Sequence, residues 1–450
     1  MNFEALKSAL VEALVGAGIT EYEIYYMSNS EASVATLNKA VNSSSSAESG
    51  GLCLRLVVDG KMGYASTELM TEAEMTELVD RAISNAKATE KPDTVGIYGG
   101  SESYEESRIP KYVPMSVAEL SAAAVKTGEA IYAKSDKVQD GTSTQAVSAG
   151  FVMRLVNSSG VDLESSSGIN VLIGEAVVMD NGEMQADYAM REISAETCDA
   201  TVAEVTEEAV KAAISKLGAT LVPSGKYNVV VSGKQMRSIL SVFSSAFSAK
   251  AVKDGMSPLA GKLGTAIAAP IVTITDDPQR EGSSVGTTFD AEGVATHRKS
   301  VVENGVLLTY LHNRETAKEM GVESTANASK AGYSSPIGIR PYSFCIEPGD
   351  KSAEELLSMA GTGIYITEVK GLHAGANPIT GDFSLESEGF MIRDGKLCEA
   401  VKSFTVAGNF FELLSSVAAL GNELRCGVQT GMTGFGSPDV LFRDMSIAGA

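Results

Sequence analysis

Histidine, cysteine and serine side chains are the groups in this sequence that could hold a metal ion or attack a substrate. The histidines are His297, His312 and His373, and none has a second histidine within five residues. The sequence therefore lacks the HExxH and HExxxH patterns that bring two ligands together on one helix. A lone histidine is more often a hydrogen-bonded surface or core residue, so a zinc site would need ligands gathered from distant segments.

A GxSxG pattern, which could carry a nucleophile, occurs once at 282–286 with Ser284 at its centre. A nucleophile elbow requires a strand before the serine and a helix after it. Residues 277–281 indicate a loop and no helical pattern follows, so we predict a flexible loop. Cys53 and Cys345 lie within apolar strand patterns, which favours buried thiols that act as small hydrophobic side chains.

Composition and charge narrow the classes of function. The formal net charge of −21 opposes contact with phosphates, so we expect no nucleic-acid partner. We expect no secretion signal, and no apolar run approaches the roughly 18 residues that a membrane span needs. The five cysteines are far apart and form no CxxC pair, which is typical of reduced thiols in a cytoplasmic protein.

Apolar spacing predicts helices alternating with hairpins in the first half of the chain. Thr71 with Glu74, and Ser116 with Glu119, are capping-box pairs that mark the starts of two helices. A further helix is predicted over 2–15, and strands over 21–37, 51–62, 144–156, 161–164 and 169–179.

The second half is predicted to be richer in strands. A strand over 227–232 precedes a helix whose apolar side chains run from Met236 to Phe247. A glycine-rich stretch, 253–293, is typical of a binding loop or lid and holds one short strand candidate. The last predicted helix covers 410–420.

These patterns together predict an α+β fold in two domains. The first domain, 1–222, combines helices with β-hairpins. The second domain, 223–450, is mainly β with a few helices. The boundary between them is placed in the segment 219–225, because a proline and a glycine follow the last helix of the first domain.

Three sets of residues resemble the TldD/PmbA family. The C-terminal set comprises 377–384, 388–392 and 405–409, which occur in the family's order and spacing. A second set begins at 289–294 and a third at 51–55, so the resemblance covers nearly the whole chain. The resemblance implies a cytoplasmic peptidase family that acts on unfolded or small peptides, some of whose members are named as modulators of DNA gyrase.

The resemblance also implies two kinds of subunit, and this chain is similar to the kind that lacks zinc ligands. The TldD kind carries HExxxH on the first helix of its C-terminal domain, with a downstream cysteine as a further ligand. The corresponding helix here, 238–247, holds no histidine and no glutamate. A zinc-activated water needs such ligands and a carboxylate that takes its proton. Cys426, near the position of the relatives' cysteine, and His373 are the remaining candidate metal ligands.

The family resemblance therefore implies a PmbA-type, or TldE-type, subunit of a TldD-type metallopeptidase. We expect no catalytic residue and no cofactor in this chain, zinc in a TldD-type partner, and a dimer with that partner or a homodimer. Asn377, Asp382 and Asn409 are candidate polar contacts for an extended peptide, although the turn around Asp382 could equally be structural. Two alternatives stay open: a self-sufficient metallopeptidase with dispersed ligands, and a non-enzymatic protein that modulates DNA gyrase.

Overall fold

A long antiparallel sheet organises the first half of the chain. The computed structural model describes residues 3–90, 92, 94–429 and 431–450. The elements of this half are α1 (Phe3–Gly16), β1 (Tyr22–Leu37), β2 (Ala40–Val58), β3 (Lys61–Thr67), α2 (Glu72–Ala88), α3 (Val117–Lys134), β4 (Ser143–Asn157), β5 (Asp162–Asp180), β6 (Glu183–Glu192) and α4 (Cys198–Ser215). The strand order is β3-β2-β1-β4-β5-β6.

The two faces of this sheet have different neighbours. Alternate residues of a strand point to opposite faces. Leu52 and Leu54 of β2 face α1 and α2, while Leu172 of β5 faces α3 and α4. On the other face, Tyr25 and Cys53 pack in one apolar cluster with residues of the second half of the chain. The sheet therefore separates a layer of helices from the second half.

The second half contains two larger sheets. Its helices are α5 (Gly233–Phe243), α6 (Ala249–Lys253), α7 (Arg314–Met320), α8 (Ala353–Ala360), α9 (Leu372–Gly375) and α10 (Phe410–Ser415), with a 3-10 turn at Ser244–Phe247. Its strands are β7 (Thr220–Leu221), β8 (Gly225–Val231), β9 (Ile274–Asp276), β10 (Lys299–Glu303), β11 (Val306–Leu307), β12 (Ala328–Ser329), β13 (Gly338–Ile339), β14 (Ser343–Ile346), β15 (Gly363–Lys370), β16 (Asp382–Arg393), β17 (Lys396–Asn409), β18 (Val417–Leu420), β19 (Arg425–Cys426), β20 (Gly434–Ser437) and β21 (Val440–Ala448).

Helix α5 lies within the core between these sheets. One sheet has the order β18-β21-β8-β15-β16-β17-β7 and the other the order β11-β10-β9-β14-β20-β19. The rings of Phe243 on α5 and Phe410 on α10 stack with their centroids 4.6 Å apart. Phe247 packs edge-on against Phe344 of β14 at 5.2 Å. Aromatic burial of this kind fixes the position of α5 relative to both sheets.

The α+β fold class is confirmed, and most predicted elements are found within a few residues. The helix predicted over 2–15 is α1, although Asn2 lies outside the described residues. The division at 222/223 stays a prediction; β7, which precedes it, pairs with Val401 and Lys402 of β17. No helix in the described ranges combines the length and apolar character that crossing a bilayer requires.

Two sequence predictions were wrong. The helix predicted over 410–420 ends at Ser415, and the residues after it form β18, which pairs with β21. A short apolar run fits a helix or a strand equally well, and here the neighbouring strand decides. The strands predicted over 161–164 and 169–179 are one strand, β5, because the intervening serines pair along β4.

Candidate functional site

The start of α5 is held by a buried carboxylate. The backbone N–H of Gly233 donates to Asp439 Oδ1 at 2.7 Å, and the hydroxyl of Tyr365 donates to Asp439 Oδ2 at 3.0 Å. A carboxylate at this end of a helix satisfies a free N–H group and complements the helix dipole. Arg425 of β19 reaches the same carboxylate, with its Nε 3.4 Å from Oδ1. Asp439 therefore ties α5 to the edge strand β19.

The less buried face of α5 carries two cations and two hydroxyls. Lys234, Arg237, Ser238 and Ser241 are half-buried. Ser238 Oγ donates to the carbonyl of Lys234 at 3.0 Å, and Ser241 Oγ donates to the carbonyl of Ser238 at 2.7 Å. Both hydroxyls thus return to the helix backbone, so the cations Lys234 and Arg237 are the groups that this face offers to a neighbour, and Lys234 lies over the ring of Tyr188.

Two thiols meet beside this face. Cys345 of β14 and Cys426 of β19 are each paired with Gly436 of the intervening strand β20. A Cβ at Gly436 would lie within 3.0 Å of both sulfur atoms, so the two thiols approach each other above β20. The neighbouring Cys345 thiol and the charges of Arg280 and Arg237 lower the pKa of the Cys426 thiol to about 7, although partial burial opposes the shift. The neighbouring Cys426 thiol and burial raise the pKa of Cys345.

A cleft of about 60 Å³ opens next to Cys426, lined in part by Arg280, Ser283, Ser343 and Gln429. Arg280 Nε donates to Ser343 Oγ at 3.1 Å, and Ser283 Oγ donates to Gln429 Oε1 at 3.0 Å. The cleft is therefore polar beside the sulfur, and its lining includes the cation Arg280 together with the carboxylates of Glu192 and Glu281. The cleft lies where the glycine-rich stretch 253–293 approaches β14, β19 and β20.

The GxSxG serine is not arranged as a nucleophile. Ser284 lies in irregular backbone within the glycine-rich stretch, and its hydroxyl donates to the carboxylate of Glu192 on β6. A catalytic serine needs a general base that is oriented by a third group. The prediction of a loop at this motif is therefore confirmed.

The histidines lie apart from the thiol pair. His373 is exposed on α9, and buried His312 has its Nδ1 3.3 Å from Thr316 Oγ1. Across the described ranges, no three or more His, Cys, Asp and Glu side chains gather closely enough to hold a metal ion. The two candidate ligands, His373 and Cys426, are thus not brought together into a site whose residues fit zinc.

The three candidate peptide contacts do lie together, in one closed turn. Asn409 Nδ2 donates to Asp382 Oδ1 at 3.0 Å and to the carbonyl of Thr380 at 2.9 Å, while its Oδ1 accepts from Phe411 N at 3.1 Å. Asn377 Oδ1 accepts from the N–H of Ile379 at 3.0 Å. The hydrogen bonds to Asp382 lower its pKa. Much of their bonding capacity is therefore used within the turn, and contact with a peptide stays a prediction.

A larger cavity of about 700 Å³ lies between the first sheet and the second half, within the contact that they make. Arg55 of β2 and Glu292 line it, and both are almost completely buried. Arg55 Nε donates to Glu23 Oε1 at 2.8 Å. Burial raises the pKa of Glu292 even though it accepts a hydrogen bond from Arg314 N. This cavity brings charged groups into the contact between the two halves.

Family models match both halves of the chain. Residues 224–449 match the PmbA/TldA metallopeptidase C-terminal domain, and residues 22–86 match the PmbA/TldA metallopeptidase domain 1. The chain belongs to the PmbA/TldD metallopeptidase family. The resemblance drawn from the sequence motifs is therefore confirmed.

The similarity to relatives covers nearly the whole length of this chain. A protein of Methanothermobacter thermautotrophicus described as a metalloprotease is 27% identical over 423 residues, which are 90% of each chain. The metalloprotease PmbA of Escherichia coli O157:H7 is 24% identical over 410 residues, covering 89% of this chain and 86% of its own.

Solved structures share the PmbA/TldD architecture. A Thermotoga maritima protein, provisionally described as a modulator of a DNA gyrase, has a TM-score of 0.88 and 31% identity over 99% of this chain and 100% of its own. TldE from Thermococcus kodakarensis has a TM-score of 0.86 over 98% of this chain and 100% of its own. At 23% identity the latter shows a common fold alone.

The cationic surroundings of Cys426 in the PmbA/TldD chain were not predicted from the sequence. Arginine is not a zinc ligand, so the pattern of metal-ligating residues does not single out Arg237. Cys345 is buried as predicted, but its thiol also lies beside that of Cys426. No local signal could reveal this contact, because β14 and β20 are parallel strands about 90 residues apart.

Proposed function

We propose that this chain is a PmbA-type subunit that works beside a zinc-bearing TldD-type subunit and has no hydrolytic centre of its own. The observation that carries the proposal is the face of α5 that presents Arg237, Ser238 and Ser241. Protein zinc sites use thiolate, imidazole and carboxylate ligands, and this face supplies none of them.

The charges around Cys426 support the same proposal. Arg280 and Arg237 both act on its sulfur. Two guanidinium groups repel a divalent cation, and this repulsion is strong in a partly buried cleft, where water screens charges poorly. A single thiolate beside two arginines also lacks the further ligands that Zn²⁺ needs.

A role in peptide binding is proposed for the turn that contains Asn377, Asp382 and Asn409. The turn leads into β16, whose first residue is Asp382, and Asn409 ends the paired strand β17. Asp382 and Asn377 are exposed. We call the exposed surface of this turn the peptide wall. An extended peptide would bind there through main-chain hydrogen bonds, which do not depend on the identity of its side chains.

Metal analysis with a peptide-cleavage assay tests the proposed helper function. The purified chain is treated with a chelator, given Zn²⁺, and freed of unbound metal before its zinc content is measured. We expect well under one zinc per chain and no cleavage of an unstructured peptide. Adding a TldD-type subunit should give chelator-sensitive cleavage that exceeds the rate of that subunit alone. Stoichiometric zinc with chelator-sensitive cleavage by the isolated chain would overturn the proposal and favour a self-sufficient peptidase.

The peptide wall is tested in the assembled complex. Asp382→Asn should raise KM for the peptide and leave kcat and the thermal midpoint nearly unchanged, because it removes an exposed charge without removing the turn. Asp350→Asn is the matched control, since Asp350 is exposed and ion-pairs only with its neighbour Lys351 among the described residues. Equal KM values for the two variants would count against the wall. Binding of the isolated chain to DNA gyrase, measured in parallel, would instead favour the non-enzymatic alternative.

A further inference from the structure

Two cysteines approach each other across a strand that has no side chain between them. Cys345 on β14 and Cys426 on β19 flank Gly436 on β20 in the same register. A Cβ at position 436 would lie 2.8 Å from Cys345 Sγ and 3.0 Å from Cys426 Sγ. Both sulfur atoms therefore border the space that a side chain at 436 would fill, and no side chain separates them there.

The two thiols differ in exposure. Cys345 is fully buried, whereas Cys426 is exposed. Cys426 lines the cleft described above, so a small reagent can reach it from solvent. Ser343 Oγ lies 3.6 Å from Cys345 Sγ and gives the buried sulfur a second polar contact. The Cys426 sulfur is therefore accessible to solvent, while the adjacent Cys345 sulfur is shielded from it.

The groups around Cys426 favour its anionic form. Arg237 from α5 and Arg280 from the glycine-rich stretch contribute positive charge, and Glu347 next to β14 opposes them. Glu192 and Glu281 line the same cleft. The neighbouring Cys345 thiol is the largest influence, and the pKa of Cys426 falls to about 7. At neutral pH a substantial fraction of this thiol is therefore ionised, and the thiolate is the nucleophilic form of cysteine.

The other cysteines lack these surroundings. Cys398 on β17 is exposed, and its Sγ lies 3.6 Å from the carbonyl of Lys396. Cys53 is buried, and Cys198 is half-buried at the start of α4. Cys398 therefore serves as an internal reference for an exposed thiol without a partner thiol.

We propose that Cys426 and Cys345 form an oxidation site for peroxides, in which Cys426 is the attacking thiolate and Cys345 the resolving thiol. The Cys426 sulfur attacks one peroxide oxygen, the O–O bond breaks, and a sulfenic acid forms while hydroxide or alkoxide leaves. The Cys345 sulfur then attacks the Cys426 sulfur, the S–O bond breaks, and water leaves with the thiol proton. Two thiols are oxidised to one disulfide, and one peroxide is reduced.

Formation of the disulfide requires β19 to move toward β14. Strands are spaced about 4.8 Å apart, so Cα atoms two strands apart are separated by about 10 Å, whereas a disulfide spans at most about 7 Å between Cα atoms. β19 is a two-residue edge strand that pairs only with β20 among the described residues. Such a short edge element can shift with little loss of structure. Oxidation would thereby narrow the cleft beside α5.

Peptide mapping after peroxide treatment tests the oxidation site. The full chain is reduced, freed of reductant, exposed to a small excess of hydrogen peroxide at pH 7 and digested without reduction. We expect a linked peptide pair that contains Cys345 and Cys426. We also expect peroxide to block the reaction of Cys426 with iodoacetamide about ten times faster than that of Cys398, because Arg237 and Arg280 favour the thiolate form of Cys426. Cys398→Ser should leave the linked pair unchanged.

Two variants separate the roles of the thiols. In the Cys345→Ser variant, oxidation of Cys426 should stop at the sulfenic acid, which dimedone traps. Cys426→Ser should abolish the linked pair and leave Cys345 unmodified, because Cys345 is buried. Equal rates at Cys426 and Cys398, or sulfinic acid at Cys426 with no linked pair in the wild-type chain, would overturn the proposal. The wild-type mapping remains decisive if either variant folds poorly.

Discussion

Arg55 and Glu23 form an ion pair between neighbouring strands that is shielded from solvent. The Arg55 side chain is 3% exposed and that of Glu23 is 1% exposed, with 2.8 Å between Nη2 and Oε1. Burial disfavours the charged arginine, but the adjacent Glu23 carboxylate raises the pKa of Arg55 above its usual value. Glu23 Oε2 accepts no hydrogen bond from the described residues. The pair is thus stable only while both charges are present.

Arg55→Leu should therefore destabilise the protein strongly. The change leaves the Glu23 carboxylate buried without a counter-charge, which typically costs about 3–5 kcal/mol. Urea unfolding followed by circular dichroism measures the loss. The double variant Glu23→Leu/Arg55→Leu should recover most of it, because no charge then remains buried. Equal stability of the single and double variants would show that lost packing, rather than the unpaired charge, causes the effect.

Asn409 closes the turn before α10 with three side-chain hydrogen bonds. Asn409→Ala removes the bonds to Thr380, Asp382 and Phe411. Loss of a helix N-cap and its neighbouring bonds should cost about 1–2 kcal/mol of unfolding free energy. Asn422→Ala is the matched control, since Asn422 is exposed and its side chain makes no hydrogen bond with the described residues. A similar urea midpoint for both variants would contradict the structural role of Asn409.

Helix starts show how far a sequence motif predicts local structure. At α3 the predicted capping box is complete: Ser116 N donates to Glu119 Oε2 at 2.7 Å, and Ser116 Oγ accepts from Glu119 N. At α2 only half of the motif forms. Thr71 Oγ1 accepts from Glu74 N at 3.4 Å, while the Glu74 carboxylate binds Arg81 instead. Arg81 of the same helix binds the Glu74 carboxylate, which a complete capping box would direct to the backbone N–H of Thr71.

The two caps should differ in their contribution to stability. Ser116→Ala should lower the unfolding free energy by about 1 kcal/mol, as typical for an N-cap serine. Thr71→Ala should cost less, because its bond is longer and the reciprocal bond is missing. Thermal unfolding of both variants under one set of conditions measures the difference. A larger loss for Thr71→Ala would reverse the expected order and count against the cap geometry.

The strands were harder to predict from the sequence than the helices, because each strand forms by pairing with a neighbouring strand. β18 was predicted as the end of a helix, and the serine run of β5 as a break between strands. Both segments take their structure from pairing with β21 and β4 respectively. Strand formation requires a partner that is distant in sequence, so local propensity is a poor guide for it.

Contact between the two halves of the molecule includes two carboxyl groups that resist ionisation. Burial and the adjacent Glu292 carboxylate raise the pKa of Asp290 to about 8, even though three backbone N–H groups donate to Asp290. Burial likewise raises the pKa of Glu292. The folded state then retains protons that the unfolded chain has released. Stability should therefore fall as pH rises from about 4.5, the usual carboxyl range, toward about 8.

Glu292→Gln should flatten this pH dependence. Glutamine keeps an oxygen for Arg314 N and cannot ionise, and it also removes the charge that raises the pKa of Asp290. Thermal midpoints measured from pH 5 to pH 8 should decline less steeply than those of the wild type. Glu354→Gln, at an exposed position on α8, provides the control. An unchanged slope for Glu292→Gln would mean that neither the ionisation of Glu292 nor its effect on Asp290 contributes to the pH dependence.

The sequence alone determined the fold class, the family and the lack of zinc ligands on α5. These features are expressed locally, in apolar periodicity, in turn residues and in the motifs around 377–409. The identity of a side chain decides whether it can bind zinc, so the lack of histidine and glutamate on α5 needs no coordinates.

Only the tertiary structure decided which distant residues meet. The thiols of Cys345 and Cys426 share one space because Gly436, on the strand between them, has no side chain to fill it. The arginines beside them come from α5 and from the glycine-rich stretch, and Arg55 faces Glu292 across the contact between the two halves. Electrostatic effects depend on distance and burial, and neither can be obtained from the order of residues along the chain.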